Sequence, residues 1–327
     1  MIRYEHAYVK HPTTDWDLVK LRCVDTDSGQ VKSSMAFVPQ FGSNLLSFQV
    51  DGTEYLFDVA SLPQGPMLLG TPILYPMPNR VRNAAFAFDG REYRFEPNNG
   101  TNFLHGLVRE TPWQVDAPVV SGESISVRTW ISFEPEAPFW ELFPIRNRLE
   151  LLYTLDCDSL RFSFTVFNED DAQQLPFGLA IHPYFQIIGS REQVRIQVPA
   201  QKWMEAEELL PTGQLLDLAE GPADLTTPTP LTDLDLDDVF WGLSKERVQA
   251  VYYDAIGIKL TLTASDFYTH SVVYTPQERP FFCIENQSCS TDAHNLYAKG
   301  LKEQAHLVIL EPGESMTESI VMAVSRQ

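Results

Sequence analysis

The chain has 327 residues, 44% hydrophobic and 12% aromatic, enough for a large core and too apolar for a disordered protein. Its 24 basic residues face 44 acidic ones, and the net charge of −20 repels polyanions, which argues against nucleic acid or anionic membrane as the main partner. The opening Met1-Ile2-Arg3-Tyr4-Glu5-His6 holds no apolar run of leader length, and no segment approaches the roughly 18 apolar residues of a membrane span, so a cytoplasmic location is expected.

Along the chain, turn signals at Asp51-Gly52, Asp89-Gly90 and Asn99-Gly100 break the first third into short pieces. Ser124-Ile125-Ser126-Val127 and Arg161-Phe162-Ser163-Phe164-Thr165-Val166 alternate polar and apolar residues, which predicts strands with one buried face. Lys259-Leu260-Thr261-Leu262-Thr263 repeats the pattern. The runs Ser271 to Tyr274, Phe281 to Ile284 and His306 to Leu310 are more continuously apolar and predict strands covered on both sides, with a turn following at Glu311-Pro312-Gly313. Long apolar stripes at helical spacing are absent, so the class is all-β. Thr226-Thr227-Pro228-Thr229-Pro230 is the nearest approach to a linker, but strand patterns continue on both sides and no repeat appears, so 1–327 is read as one domain with a surface loop there. The four cysteines, Cys23, Cys157, Cys283 and Cys289, form no Cys-x-x-Cys pair and are too few for a disulfide scaffold, and are expected to be buried or incidental thiols.

Six residues stand out for chemistry. Arg80, in Pro78-Asn79-Arg80-Val81, is either a solvated loop charge or a donor to a ligand. His105, in Leu104-His105-Gly106, is either a core histidine bonded to backbone or a ligand contact. His182 ends an apolar run and precedes Pro183, which interrupts strand pairing, so its ring is expected at a strand end. Asp237 and Asp238 lie in an acidic run of the kind that is usually solvated. Glu285 follows Phe281-Phe282-Cys283-Ile284, and a carboxylate at the far end of a buried strand has its pKa raised toward that of a useful base. A base, an acid and several hydroxyl partners suit proton transfer on a small polyhydroxylated substrate. Glu285 is the better base, while His182, titrating near its ordinary pKa of about 6.5, is expected to arrive protonated as the acid. Neither metal nor cofactor is needed, and aromatic residues such as Phe185, Phe240 or Trp241 are candidates to cover an apolar sugar face.

The ordered set Pro78-Asn79-Arg80-Val81, Leu104-His105-Gly106, His182-Pro183-Tyr184-Phe185, Asp237-Asp238-Val239-Phe240 and Ile284-Glu285-Asn286 resembles the aldose 1-epimerases, or galactose mutarotases, from about Phe37 to the C-terminus. The resemblance implies a β-supersandwich, a sugar substrate, Glu285 as general base, His182 as general acid, and hydroxyl contacts from Arg80, His105 and Asp237, with Asp238 the alternative aspartate. Two positions depart from that pattern: Leu107 stands where a second glycine is usual, and Asn286 where a proline is usual. Three other readings remain open. Two histidines and a glutamate suit a metal hydrolase, although no short ligand spacing supports one. A hexose-6-phosphate epimerase would use Arg82, Arg91 and Arg94 on phosphate. A sugar-binding module would need the hydroxyl contacts without both His182 and Glu285. Monomer and homodimer are both compatible with the sequence.

Overall fold

The computed structural model describes residues 1–12, 14–57 and 70–327. In Ser159–Asn168, Leu160, Phe162, Phe164 and Val166 are buried while Arg161 faces outward, as the alternation requires. That strand is paired antiparallel with Asn147–Leu155 on one side and Ser315–Arg326 on the other, at the centre of a ten-stranded sheet. Ile258–Ala264 and Ser124–Phe133 extend the same sheet, so three alternating segments of the sequence share one layer.

A second sheet of eight strands carries the more continuously apolar segments. His270–Tyr274 lies between Asp237–Trp241 and Phe281–Gln287, and Phe281–Gln287 is followed across the sheet by Ala180–Ile181 and Ile73–Leu74. Every residue of Phe281–Gln287 is buried. Phe282 and Ile284 enter the main apolar cluster, together with Leu151 and Phe162 from the ten-stranded sheet, whereas Phe281 and Cys283 join a smaller cluster on the opposite face. Each fully buried aromatic or aliphatic side chain contributes roughly 1.5–3 kcal/mol of transfer free energy, so this shared core fixes the two large sheets against each other. A five-stranded N-terminal sheet, from Ile2–Lys10 to Thr53–Glu54, adds Phe37 and Phe48 to the same cluster.

Several expectations change. Cys23 and Cys157 are not free thiols: they form a disulfide, while Cys283 and Cys289 are free and buried. The pair is 134 residues apart, and spacing along the chain carries no trace of a contact made by folding. Glu285 does not terminate its strand, which continues through Asn286 and Gln287. The predicted strand from His306 begins only at Val308. His306 instead sits in the left-handed region at φ 46° after the short helix Lys302–Ala305, with its Nδ1 at 2.6 Å from the Ser288 carbonyl oxygen. That helix and Ala293–Ala298 are too short to show a periodic stripe in sequence. The Thr226–Pro230 stretch is tied down at both ends, Thr229–Pro230 pairing with Val194–Gln197 beside the buried Leu225 and Leu231. Among the described residues, no helix is long and apolar enough to cross a membrane.

Candidate active site

Local backbone chemistry delivers the polar residues. Arg80–Val81 pairs with Phe103–Leu104, placing Leu104 opposite Arg80. Directly after this pairing, His105 and Gly106 adopt φ of 70° and 68°, and the His105 N–H donates to the Asn79 carbonyl at 2.9 Å. Glycine is required at position 106, because a Cβ there would stand 2.4 Å from the Tyr75 carbonyl oxygen. Leu107, at the position of the usual second glycine, donates its N–H to that same oxygen at 2.8 Å. On the other side of the site His182 follows Ala180–Ile181, donates its N–H to the Pro72 carbonyl at 3.0 Å, and precedes the proline that breaks the pairing.

The five candidate residues converge. His182 Nε2 lies 3.1 Å from Glu285 Oε1, and the His182 ring meets His105 edge-on at 5.1 Å between centroids. Arg80 Nη2 is 3.2 Å from Asp237 Oδ2, its other nitrogens donating to Asn79 and Asn99. Strand alternation separates the two aspartates. Asp237 turns toward Arg80, while Asp238 turns to the opposite face and accepts from Trp203 Nε1 at 3.0 Å, so only Asp237 joins the group.

Burial governs the electrostatics. It pushes the His182 imidazole down to about 3, with Arg109 and Arg80 adding to the depression, and holds His105 well below its ordinary value. The same desolvation raises Glu285 well above the usual carboxylate range, against the opposing hydrogen bond from Gln287. His182 therefore does not titrate near 6.5 in the folded protein. Across the 3.1 Å contact between Nε2 and Oε1 the pair can carry one proton, either as protonated Glu285 with neutral His182 or as carboxylate with imidazolium, and both forms have the same proton count. A second proton enters only at low pH, because the imidazole is depressed. The single proton leaves only at high pH, because the carboxyl is raised. The pH profile of kcat/KM is accordingly expected to show no inflection at about 6.5, the value of an exposed histidine. An inflection there would contradict the one-proton pair.

Several residues at this site had been passed over. Tyr184 stacks on His182 at 4.6 Å with an interplanar angle of 10°, and Tyr274 packs in the same apolar cluster as Tyr184 and Phe281. Arg109, its side chain largely buried, faces His105, His182 and Tyr184 electrostatically, and among the described residues its carboxylate partner is its neighbour Glu110, at 3.4 Å. Gln287 donates to Glu285. Two of these had a signal: Tyr184 and Gln287 each lie two residues beyond a candidate, the spacing that returns a strand to the same face. Arg109 had none. The aromatic candidates need correction, since Phe185 and Phe240 are fully buried in the main cluster. The arginines proposed for phosphate also have local partners: Arg82 pairs with Asp292 at 3.4 Å, Arg91 lies over Tyr93 and Arg94 pairs with Glu92 at 2.6 Å. Among the described residues, no three His, Cys, Asp or Glu side chains are arranged to hold a metal ion.

Removing Asp237 leaves the Arg80 guanidinium, with 12% of its side chain exposed, without its carboxylate. Asp237→Ala is expected to raise KM about tenfold or more, the size of one charge-assisted hydrogen bond. A KM within twofold of wild type would remove Asp237 from the binding set.

Comparison with known proteins identifies the family and the fold. The family model described as aldose 1-epimerase matches residues 28–323. The uncharacterized protein YphB of Escherichia coli is 28% identical over 259 residues, 77% of this chain and 82% of YphB. Bovine galactose mutarotase is 27% identical over 158 residues, which span 47% of this chain but only 44% of the mutarotase. A galactose mutarotase-like protein from Clostridium acetobutylicum superposes with a TM-score of 0.84 over 100% of this chain and 99% of its own, at 16% identity, and so shares the fold. With the family model covering most of its length, the chain belongs to the aldose 1-epimerase family.

Proposed function

We propose that the protein interconverts the α and β anomers of a free aldohexose by acid–base ring opening and closure. The observation that carries this reading is the buried His182–Glu285 pair at 3.1 Å, beside the Arg80–Asp237 pair. Glu285 takes the proton from the C1 hydroxyl, and His182 gives its proton to the ring oxygen. The bond from C1 to the ring oxygen breaks as the C1 carbonyl forms. Rotation about C1–C2 presents the other face, and closure returns both protons by the reverse path. Proton counting supports the assignment. Opening moves the pair's proton from His182 to Glu285, so the open-chain sugar is accompanied by neutral His182 and protonated Glu285, the form that burial favours. Arg80, His105 and Asp237 hold the hydroxyls while the chain is open, and Tyr184 and Tyr274 offer aromatic surface to the sugar.

The testing experiment is anomer exchange by two-dimensional NMR over a panel of free aldoses and their 6-phosphates, with a strong chelator present throughout. Catalysed exchange of at least one free hexose is expected, undiminished by the chelator. Loss with the chelator and recovery on adding a divalent ion would replace this reading with a metal-dependent one. One observation favours a second reading: Arg109 gives the site a largely buried guanidinium whose one carboxylate partner among the described residues is the adjacent Glu110, a suitable contact for an anionic substituent. A kcat/KM for a 6-phosphate above that of every free hexose, abolished by Arg109→Met, would move the substrate to the phosphosugars.

A further inference from the structure

Gln287 occupies a costly position. Its side chain is fully buried, its Nε2 donates to Glu285 Oε2 at 3.0 Å, and its Oε1 has no hydrogen-bond partner among the described residues. A buried amide with an unmet acceptor is destabilising, and a leucine or methionine of similar size would avoid the cost. We infer that Gln287 is a positioning residue that differentiates the two oxygens of Glu285, occupying Oε2 so that Oε1, the oxygen 3.1 Å from His182 Nε2, is the one left to exchange a proton with the substrate. This inference rests on the acid–base reading of the pair. The physical argument is geometric: a carboxyl group can rotate its two oxygens into each other's places and can carry its proton on either. With an N–H aimed at Oε2, that oxygen is held as an acceptor, and the proton has one productive seat. Strand geometry enforces the pairing, because residues two apart on Phe281–Gln287 project from the same face.

The same hydrogen bond stabilises the ionised carboxylate. Around Glu285 the other charged or titratable groups are His182, Asp237, Arg80, Tyr184 and Cys283, and all of them remain in place when Gln287 alone is changed. Gln287→Met removes the donor while keeping the volume. The expected result is a kcat reduced by about tenfold with KM within twofold, and a Glu285 carboxyl titration displaced upward by about one pH unit, the scale of one hydrogen bond to a charged group. The titration is read from the side-chain carboxyl carbon of 13C-labelled glutamate, assigned through Glu285→Gln. It requires no turnover, so it tests Gln287 even if no sugar in the panel exchanges, an outcome that would refute the proposed activity instead. Should Gln287→Met fail to fold, Gln287→Leu removes the same donor with an apolar side chain and must displace Glu285 in the same direction. An unshifted Glu285 titration in either folded variant, or a kcat within twofold of wild type in an enzyme active on sugar, overturns the inference.

Discussion

Glu285→Gln is expected to lose on the order of 10² to 10⁴ in kcat, the contribution of a positioned general base, while binding sugar with little change in affinity. The substitution keeps the shape and a polar contact with His182 but cannot accept the C1 hydroxyl proton. His182→Asn should lose a comparable amount, because the ring oxygen then leaves unprotonated. The two residues are 3.1 Å apart and are proposed to serve one proton relay as a unit, so the double substitution should be far less impaired than the product of the single losses. Polarimetry of freshly dissolved sugar, with folding checked by circular dichroism, measures all three. A Glu285→Gln enzyme with near wild-type kcat would place the base elsewhere.

Gly106→Ala is expected to cost about 3 kcal/mol or more of stability, measured by urea unfolding, and to abolish sugar binding with it. Two costs combine. A left-handed backbone at φ 68° is unfavourable for alanine by roughly 1–2 kcal/mol, and the new Cβ would lie 2.4 Å from the Tyr75 carbonyl oxygen, a backbone atom that cannot swing aside. The neighbouring hydrogen bond from Leu107 to that oxygen would be pushed apart and the preceding His105 displaced. Gly100→Ala is the control. Its φ is 62° but its Cβ would meet nothing within 4 Å, so only the backbone cost of about 1 kcal/mol is expected. Equal effects at the two positions would show that the collision with Tyr75 is relieved by movement.

What the sequence conveyed well was whatever depends on neighbours along a strand. The alternation in Arg161–Val166 told which side chains are buried, and the proline after His182 told that the ring stands where pairing breaks. Asp237 and Asp238 show where such reasoning stops. Alternation says that they point to opposite faces, but which face holds the site depends on Arg80, 157 residues away. Arg109 and the Cys23–Cys157 bridge are of the same kind, contacts created only when distant segments meet. The apparent aromatic candidates failed for a related reason: Phe185 and Phe240 are in the right segments, but one residue's difference in register sends their rings into the core. The pKa of His182 departs from its reference value because that value belongs to water, and burial lowers it.

The bridge between Cys23 and Cys157 has a topological meaning for the site. It closes a ring of chain that encloses Arg80, His105 and Arg109, while His182, Asp237 and Glu285 all lie in the open remainder. The proposed acid–base pair thus belongs wholly to one side of the closure, and the proposed cationic and histidine contacts to sugar belong to the other. A single proteolytic cut within the ring would leave both parts covalently joined until a reductant is added. After such a cut between Arg109 and Cys157, thiol conditions determine whether the two halves of the pocket stay tethered or are two segments held only by their packing.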